Sequence, residues 1–147
     1  AVRRILDGGV IADRESVRLD VDQIDTDLER FFSAQDDVAT VEAYEGEFLP
    51  EDRFEDWTGR MRDEARARFV TAGHRLAETS LDPERRIWLA RRLIAADPYD
   101  EMAYRLLVRT LLECGETREA ERAHASWVAA LAELGVEVEP LEHFPPV

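Results

Sequence analysis

Four aspartates crowd the stretch LDVDQIDTDLE, at Asp20, Asp22, Asp25 and Asp27, and closely spaced carboxylates are what a hard divalent cation such as calcium requires. The spacing does not build a calcium loop. Counted from Asp20, the fifth position is Ile24, the central glycine is missing and no bidentate glutamate closes the run. The same acids suit the solvated first turn of a helix, where the helix dipole favours negative charge. His74, His124 and His143 are scattered, without a neighbour at three- or four-residue spacing, so a zinc site is unsupported and each reads as a surface or interhelix residue. Cys114 is the single cysteine, which leaves neither an internal disulfide nor a Cys-based metal site. Lying before Gly115 on an apolar helix face, it reads as a small buried hydrophobe, not a reactive thiol. Acid–base work by Glu47, Glu51 or Asp52 would need a complementary base or nucleophile, and none sits nearby in sequence. No catalytic, cofactor-binding or metal-ligating residue is therefore assigned, and the chain does not read as an enzyme.

The remaining chemistry is recognition. The chain carries 33 acids against 19 bases, a formal net charge of −14, yet Arg85, Arg86, Arg91 and Arg92 cluster within it. On a helix, Arg85, Arg91 and Arg92 flank Trp88, while Ile87, Ala90, Leu93 and Ile94 take the other side. Either Trp88 packs on a neighbouring helix or the hairpin described below, or it stands exposed in an arginine frame, the composition of a partner-binding hot spot. Arg85, Trp88, Arg91 and Arg92 form the candidate partner surface. The overall acidity opposes direct contact with nucleic acid or an anionic membrane, so a DNA-binding parent would draw its basic surface from another segment.

These residues need a scaffold. At 147 residues and 45% hydrophobic content the chain can bury one domain core. No apolar run approaches the ~18 residues of a membrane span, and AVRRILDGG lacks the apolar stretch of a signal peptide. With one cysteine, the expected compartment is the cytoplasm. AVRRIL reads as the end of a helix stopped at Asp7-Gly8-Gly9, and Val10-Ile11 with Val17–Leu19 as a β-hairpin. Ile24, Leu28, Phe31 and Phe32 recur at helical spacing behind an Asp22 or Asp25 cap, and Asp36-Asp37 open a short helix through Val38, Val41 and Tyr44. Trp57, Met61, Ala65, Phe69, Ala72 and Leu76 mark a long helix over 54–79. Asp82-Pro83 and Asp97-Pro98 predict helices over 83–96 and 98–114. Gly115 and Gly135 take the left-handed positions after helices, the last of which carries Ala120, Ala123, Trp127, Ala130, Leu131 and Leu134. Two 34-residue units, 67–100 and 101–134, fit this rhythm, with Gly115 and Ala120 at small-residue positions and Arg86 departing from one. The fold class is mainly α: a tetratricopeptide-like array of about six or seven helices with a short N-terminal β-hairpin.

The ordered motifs Gly46 to Pro50 with Trp57, Asp97 to Asp100 with Tyr104 and Leu107, Gly115 with Ala120, and Leu134 to Glu137 resemble the bacterial transcriptional activator domain of actinomycete antibiotic regulatory proteins. The resemblance implies that residues 1–21 are the rim of an upstream winged-helix domain, its recognition-helix end and wing, followed by the helical domain over 22–135 and a tail over 136–147. It implies that Phe48, Leu49, Phe54 and Trp57 of YEGEFLPEDRFEDW pin a connecting segment onto the helices. Its function would be self-association or contact with the transcription machinery, with DNA reached only through the upstream domain. The tail departs from the family, because Pro140, Pro145 and Pro146 stand where another helix would follow. The competing reading is a free-standing adaptor that binds a protein or peptide in its concave face; a hairpin with no sheet to join speaks against it.

Overall fold

A computed structural model describes residues 10–12, 15–19, 27–48, 50 and 56–144, with the backbone alone at 10–12, 17–19 and 56–58. Among these residues six α-helices follow one another: α1 (Asp27–Ser33), α2 (Asp37–Ala43), α3 (Asp56–Thr79), α4 (Pro83–Ala96), α5 (Glu101–Glu113) and α6 (Thr117–Ala132). A 3-10 turn covers Leu141–His143. Ahead of the helices, β1 (Val10–Ala12) and β2 (Val17–Leu19) pair antiparallel, with Val10 opposite Leu19 and Ala12 opposite Val17. The readings of AVRRIL, of an Asp22 or Asp25 cap with Ile24, of Leu49 and Phe54, of the Trp57 side chain and of Pro145-Pro146 fall outside the described residues.

Helix starts follow the aspartates. Asp36 Oδ1 accepts from the Ala39 N–H at 2.8 Å and Asp82 Oδ1 from the Glu84 N–H at 3.0 Å, each satisfying a donor that the first turn leaves without a partner. The expected start at Asp97-Pro98 is displaced by three residues. Asp97 instead ends α4, its N–H bonded to the Leu93 carbonyl at 2.8 Å, and its Oδ1 accepts from the Tyr99 N–H at 3.0 Å. That bond closes a turn over Pro98 and Tyr99, and Asp100 caps α5 through the Ala103 N–H at 3.0 Å.

The helix ends follow the glycines. Gly115 and Gly135 adopt φ of 77° and 69°. The N–H of Glu116 reaches back to Leu111 O at 2.8 Å and that of Val136 to Leu131 O at 3.1 Å, the paired pattern that a left-handed residue allows. Cys114 does not pack inward as expected. It is exposed, because it caps α5 where the chain leaves the buried face set by Leu107, Val108 and Leu111.

Each helix packs chiefly on the helix before and the helix after, so the molecule is a linear helical array. One core gathers Phe31, Val41, Tyr44, Phe69, Leu89 and Leu93 from α1 to α4, with Phe32 and Phe48 against it. The Tyr44 and Phe69 rings stack at 4.2 Å, and Phe48 lies 5.7 Å from Phe31. Phe48 thus ties the start of the α2–α3 connection to α1. At the α3–α4 crossing a Cβ on Gly73 would meet Leu93 Cδ2 at 2.8 Å, so the missing side chain sets how closely these helices approach. Arg86, the departure from the repeat pattern, spans from α4 to Glu113 of α5 at 2.7 Å. A second core joins Tyr104 and Val108 of α5 with Trp127 and Leu131 of α6. After Gly135 the chain returns along this core as a strap, placing Val138, Leu141 and Phe144 on it.

Candidate protein-interaction site

The candidate residues sit on α4, whose opposite face buries Leu89, Ala90 and Leu93. That burial fixes the helix's rotation and turns Trp88 outward, leaving it 45% exposed. Arg85, one turn earlier, is exposed as well. Arg91 reaches across to α6, where its guanidinium meets Glu119 at 2.6 Å, so its charge is largely balanced at the surface.

Arg92 takes another course. Its Nη1 donates to the Val41 carbonyl at 2.9 Å and its Nη2 to the Tyr44 carbonyl, two acceptors at the carboxyl end of α2. Carbonyls there have no intrahelical donor, and a cation is favoured by the dipole. The guanidinium also lies over two rings, 5.1 Å from the centre of Phe69 and 4.8 Å from that of Trp88. Burial pulls its pKa below the usual arginine value, partly offset by Tyr44; the group remains a cation. Arg92 is thus an internal staple that presents one flat face to the back of Trp88. The outward face comprises Arg85, Trp88 and Arg91.

Beside the staple opens a cleft of about 630 Å³ whose walls include Tyr44, Arg62, Arg66, Phe69 and Arg92. Sequence reasoning did not single it out, because its arginines come from α3 and α4 at separate places in the chain. Each α3 guanidinium faces a carboxylate on the same wall, Arg62 with Glu47 at 3.8 Å and Arg66 with Asp63 at 3.2 Å. Burial raises the Tyr44 phenol above its ordinary pKa, with Arg66 and Arg92 opposing and Glu47 reinforcing. Among the described wall residues there is no serine, cysteine or histidine. Two of the three histidines link separate elements: His74 Nε2 stands 2.7 Å from Asp100 Oδ2, and His124 Nε2 stands 2.7 Å from the Glu139 carbonyl.

With the geometry in place, comparison with known families identifies the chain. Residues 26–141 match the bacterial transcriptional activator domain, and the chain belongs to that family, which is a regulatory and not an enzyme family. No curated protein and no solved structure matches it. Among the described residues no helix is long and apolar enough to cross a membrane.

Proposed function

We propose that this chain is the regulatory and interaction domain of a cytoplasmic transcription regulator, mediating self-association or contact with the transcription machinery for an adjacent DNA-binding domain. Residues 1–21 then belong to the rim of an upstream winged helix, with the β1–β2 pair as its wing, and 22–135 to a tetratricopeptide-like array. Family membership supports the regulatory role. The net charge of −14 supports leaving DNA contact to another segment.

The observation that carries the interaction role is the half-exposed Trp88, backed by the fixed guanidinium of Arg92 and framed by Arg85 and Arg91. A rigid aromatic beside arginine is the composition on which binding energy concentrates. Sedimentation of the wild-type chain and of Trp88→Ala tests this, together with capture of purified RNA polymerase. Association should weaken at least ten-fold in the variant with the melting temperature kept. A lowered melting temperature with association intact would show Trp88 to be a packing residue. An immunoblot of source-cell extract separates this reading from the free-standing adaptor: a product well above 16.9 kDa fits the regulator, and one near that mass overturns it.

A further inference from the structure

Where a seventh helix could pack on α5 and α6, the chain lays down the strap of residues 136–144 instead. Three anchors hold it. Phe144 is buried against Trp127, with ring centres 6.1 Å apart; Leu141 and Val138 follow at three-residue intervals on the same core. Polar ties lie alongside: the His124 Nε2–H donates to the Glu139 carbonyl at 2.7 Å, and Arg105 pairs with the Glu139 carboxylate at 3.2 Å. The Arg105 guanidinium also covers the Trp127 ring at 5.7 Å. The fit is incomplete, because Trp127 is 1% exposed and its indole Nε1–H has no acceptor among the described residues. A buried donor without a partner is costly, and Trp127 packs against a segment whose one regular turn is Leu141–His143 and which leaves α6 through the exposed residues Leu134 to Glu137.

We propose that the α5–α6 groove under the strap is a docking site for an extended segment of a partner protein, and that residues 136–144 occupy it as a displaceable internal ligand. This goes beyond the Trp88 surface and does not depend on it. The strap displays the chemistry of its replacement. The partner segment carries an acid for Arg105, an aliphatic residue two positions later and an aromatic anchor three beyond that, matching Glu139, Leu141 and Phe144. It also brings the acceptor that Trp127 lacks. That last feature decides the competition, since a tethered strap enjoys a high effective concentration and only a better-matched ligand displaces it. A second copy's strap would lack the same acceptor.

The probe is the labelled nonapeptide VEVEPLEHF, the sequence of residues 136–144, titrated by fluorescence anisotropy against three forms of the whole chain. These are the wild type, Phe144→Ala, and a form with six Gly/Ser residues inserted after Gly135, which keeps every groove side chain and the strap residues Val138, Glu139, Leu141 and Phe144 and displaces only the Val136 N–H from Leu131 O. Both altered forms, checked for unchanged helical circular dichroism, should bind the peptide at least ten-fold more tightly than wild type. Replacing the peptide's phenylalanine with alanine should abolish binding. Among peptides with Asn, Gln or Asp at the positions of Glu142 and His143, at least one should bind ten-fold more tightly than the parent. It should also shift the Trp127 indole N–H resonance, a gain lost in Trp127→Phe. Equal binding to wild type and the insertion form overturns the proposal, as does absence of binding to the folded insertion form. Failure of every acceptor peptide overturns it too. A mass by light scattering that is doubled in the insertion form and not in the wild type would make a second copy the occupant and overturn the partner assignment.

Discussion

Arg92 lies over Trp88 with its guanidinium carbon 4.8 Å from the ring centre, so the exposed tryptophan of α4 is backed by a cation that is itself held by two carbonyls. The same guanidinium serves Val41 and Tyr44 as their hydrogen-bond donor. Rigidity at the surface and closure of the α2 end therefore depend on one side chain, and that coupling has measurable consequences.

Arg92→Ala should destabilise the chain by about 2–3 kcal/mol, because two carbonyls lose a charged donor and two rings lose a cation. Arg92→Lys should recover under half of this, since an ammonium lacks the planar fork that reaches both acceptors. Arg85→Ala, at an exposed position, should stay within about 0.5 kcal/mol of wild type. Urea unfolding of the three variants checks the order; equal stability of Arg92→Ala and Arg85→Ala would show the staple to be without consequence.

Two glycines of α3 should respond to alanine with opposite signs. At Gly59 a Cβ meets nothing within 4 Å among the described residues, so Gly59→Ala should stabilise by up to about 1 kcal/mol through helix propensity. At Gly73 the new methyl would strike Leu93, which is fully buried. Overpacking of about 1–3 kcal/mol then outweighs the propensity gain, and Gly73→Ala should destabilise. Thermal unfolding of both variants decides it, and a shift of the same sign in the two would contradict the crossing geometry.

Local signals in the sequence carried far. Asp36, Asp82, Gly115 and Gly135 mark helix boundaries as the residues themselves imply, because capping is settled within four residues of chain. The start of α5 was not legible from Asp97-Pro98 alone. Two aspartates competed for it, and Asp100 is engaged by His74 from another helix, 26 positions upstream. Arg92 illustrates the same limit. Its four-residue spacing from Trp88 foretells the stacking, whereas its acceptors at Val41 and Tyr44 belong to a distant segment and leave no local mark. The strap left a weaker mark: Pro140 argues against a helix there, and the three-residue spacing of Leu141 and Phe144 is the usable signal, since side chains three apart align across the 3-10 turn Leu141–His143.

Exposure of Cys114 just past the last turn of α5 makes the thiol a reporter for the native state. One equivalent of a thiol-reactive dye should add to the folded chain at nearly the rate seen in urea. Slow native labelling that accelerates more than ten-fold on unfolding would mean that the residue is covered. Modified chain should keep its melting temperature, because the side chain leaves the core at this position.

Alkaline pH should weaken the fold through its tyrosines. All three, Tyr44, Tyr99 and Tyr104, have phenols raised above the ordinary value of 10.0. Burial is the main cause at Tyr44 and the sole one at Tyr104; at Tyr99 it is chiefly the hydrogen bond to Glu133. The unfolded chain, with phenols near 10, loses these protons first, so below that pH the shifts have no effect on stability. As pH rises beyond it, the unfolded state is favoured until the folded phenols also ionise. Absorbance at 295 nm should accordingly rise at higher pH in the native chain than in urea, and the urea midpoint should fall between about pH 9.5 and 11. Tyr44→Phe should remove part of that fall, because it deletes a phenol whose ionisation burial disfavours. Superimposed native and unfolded titration curves would show the phenols to be solvated and would refute the packing of Tyr44 on Phe69.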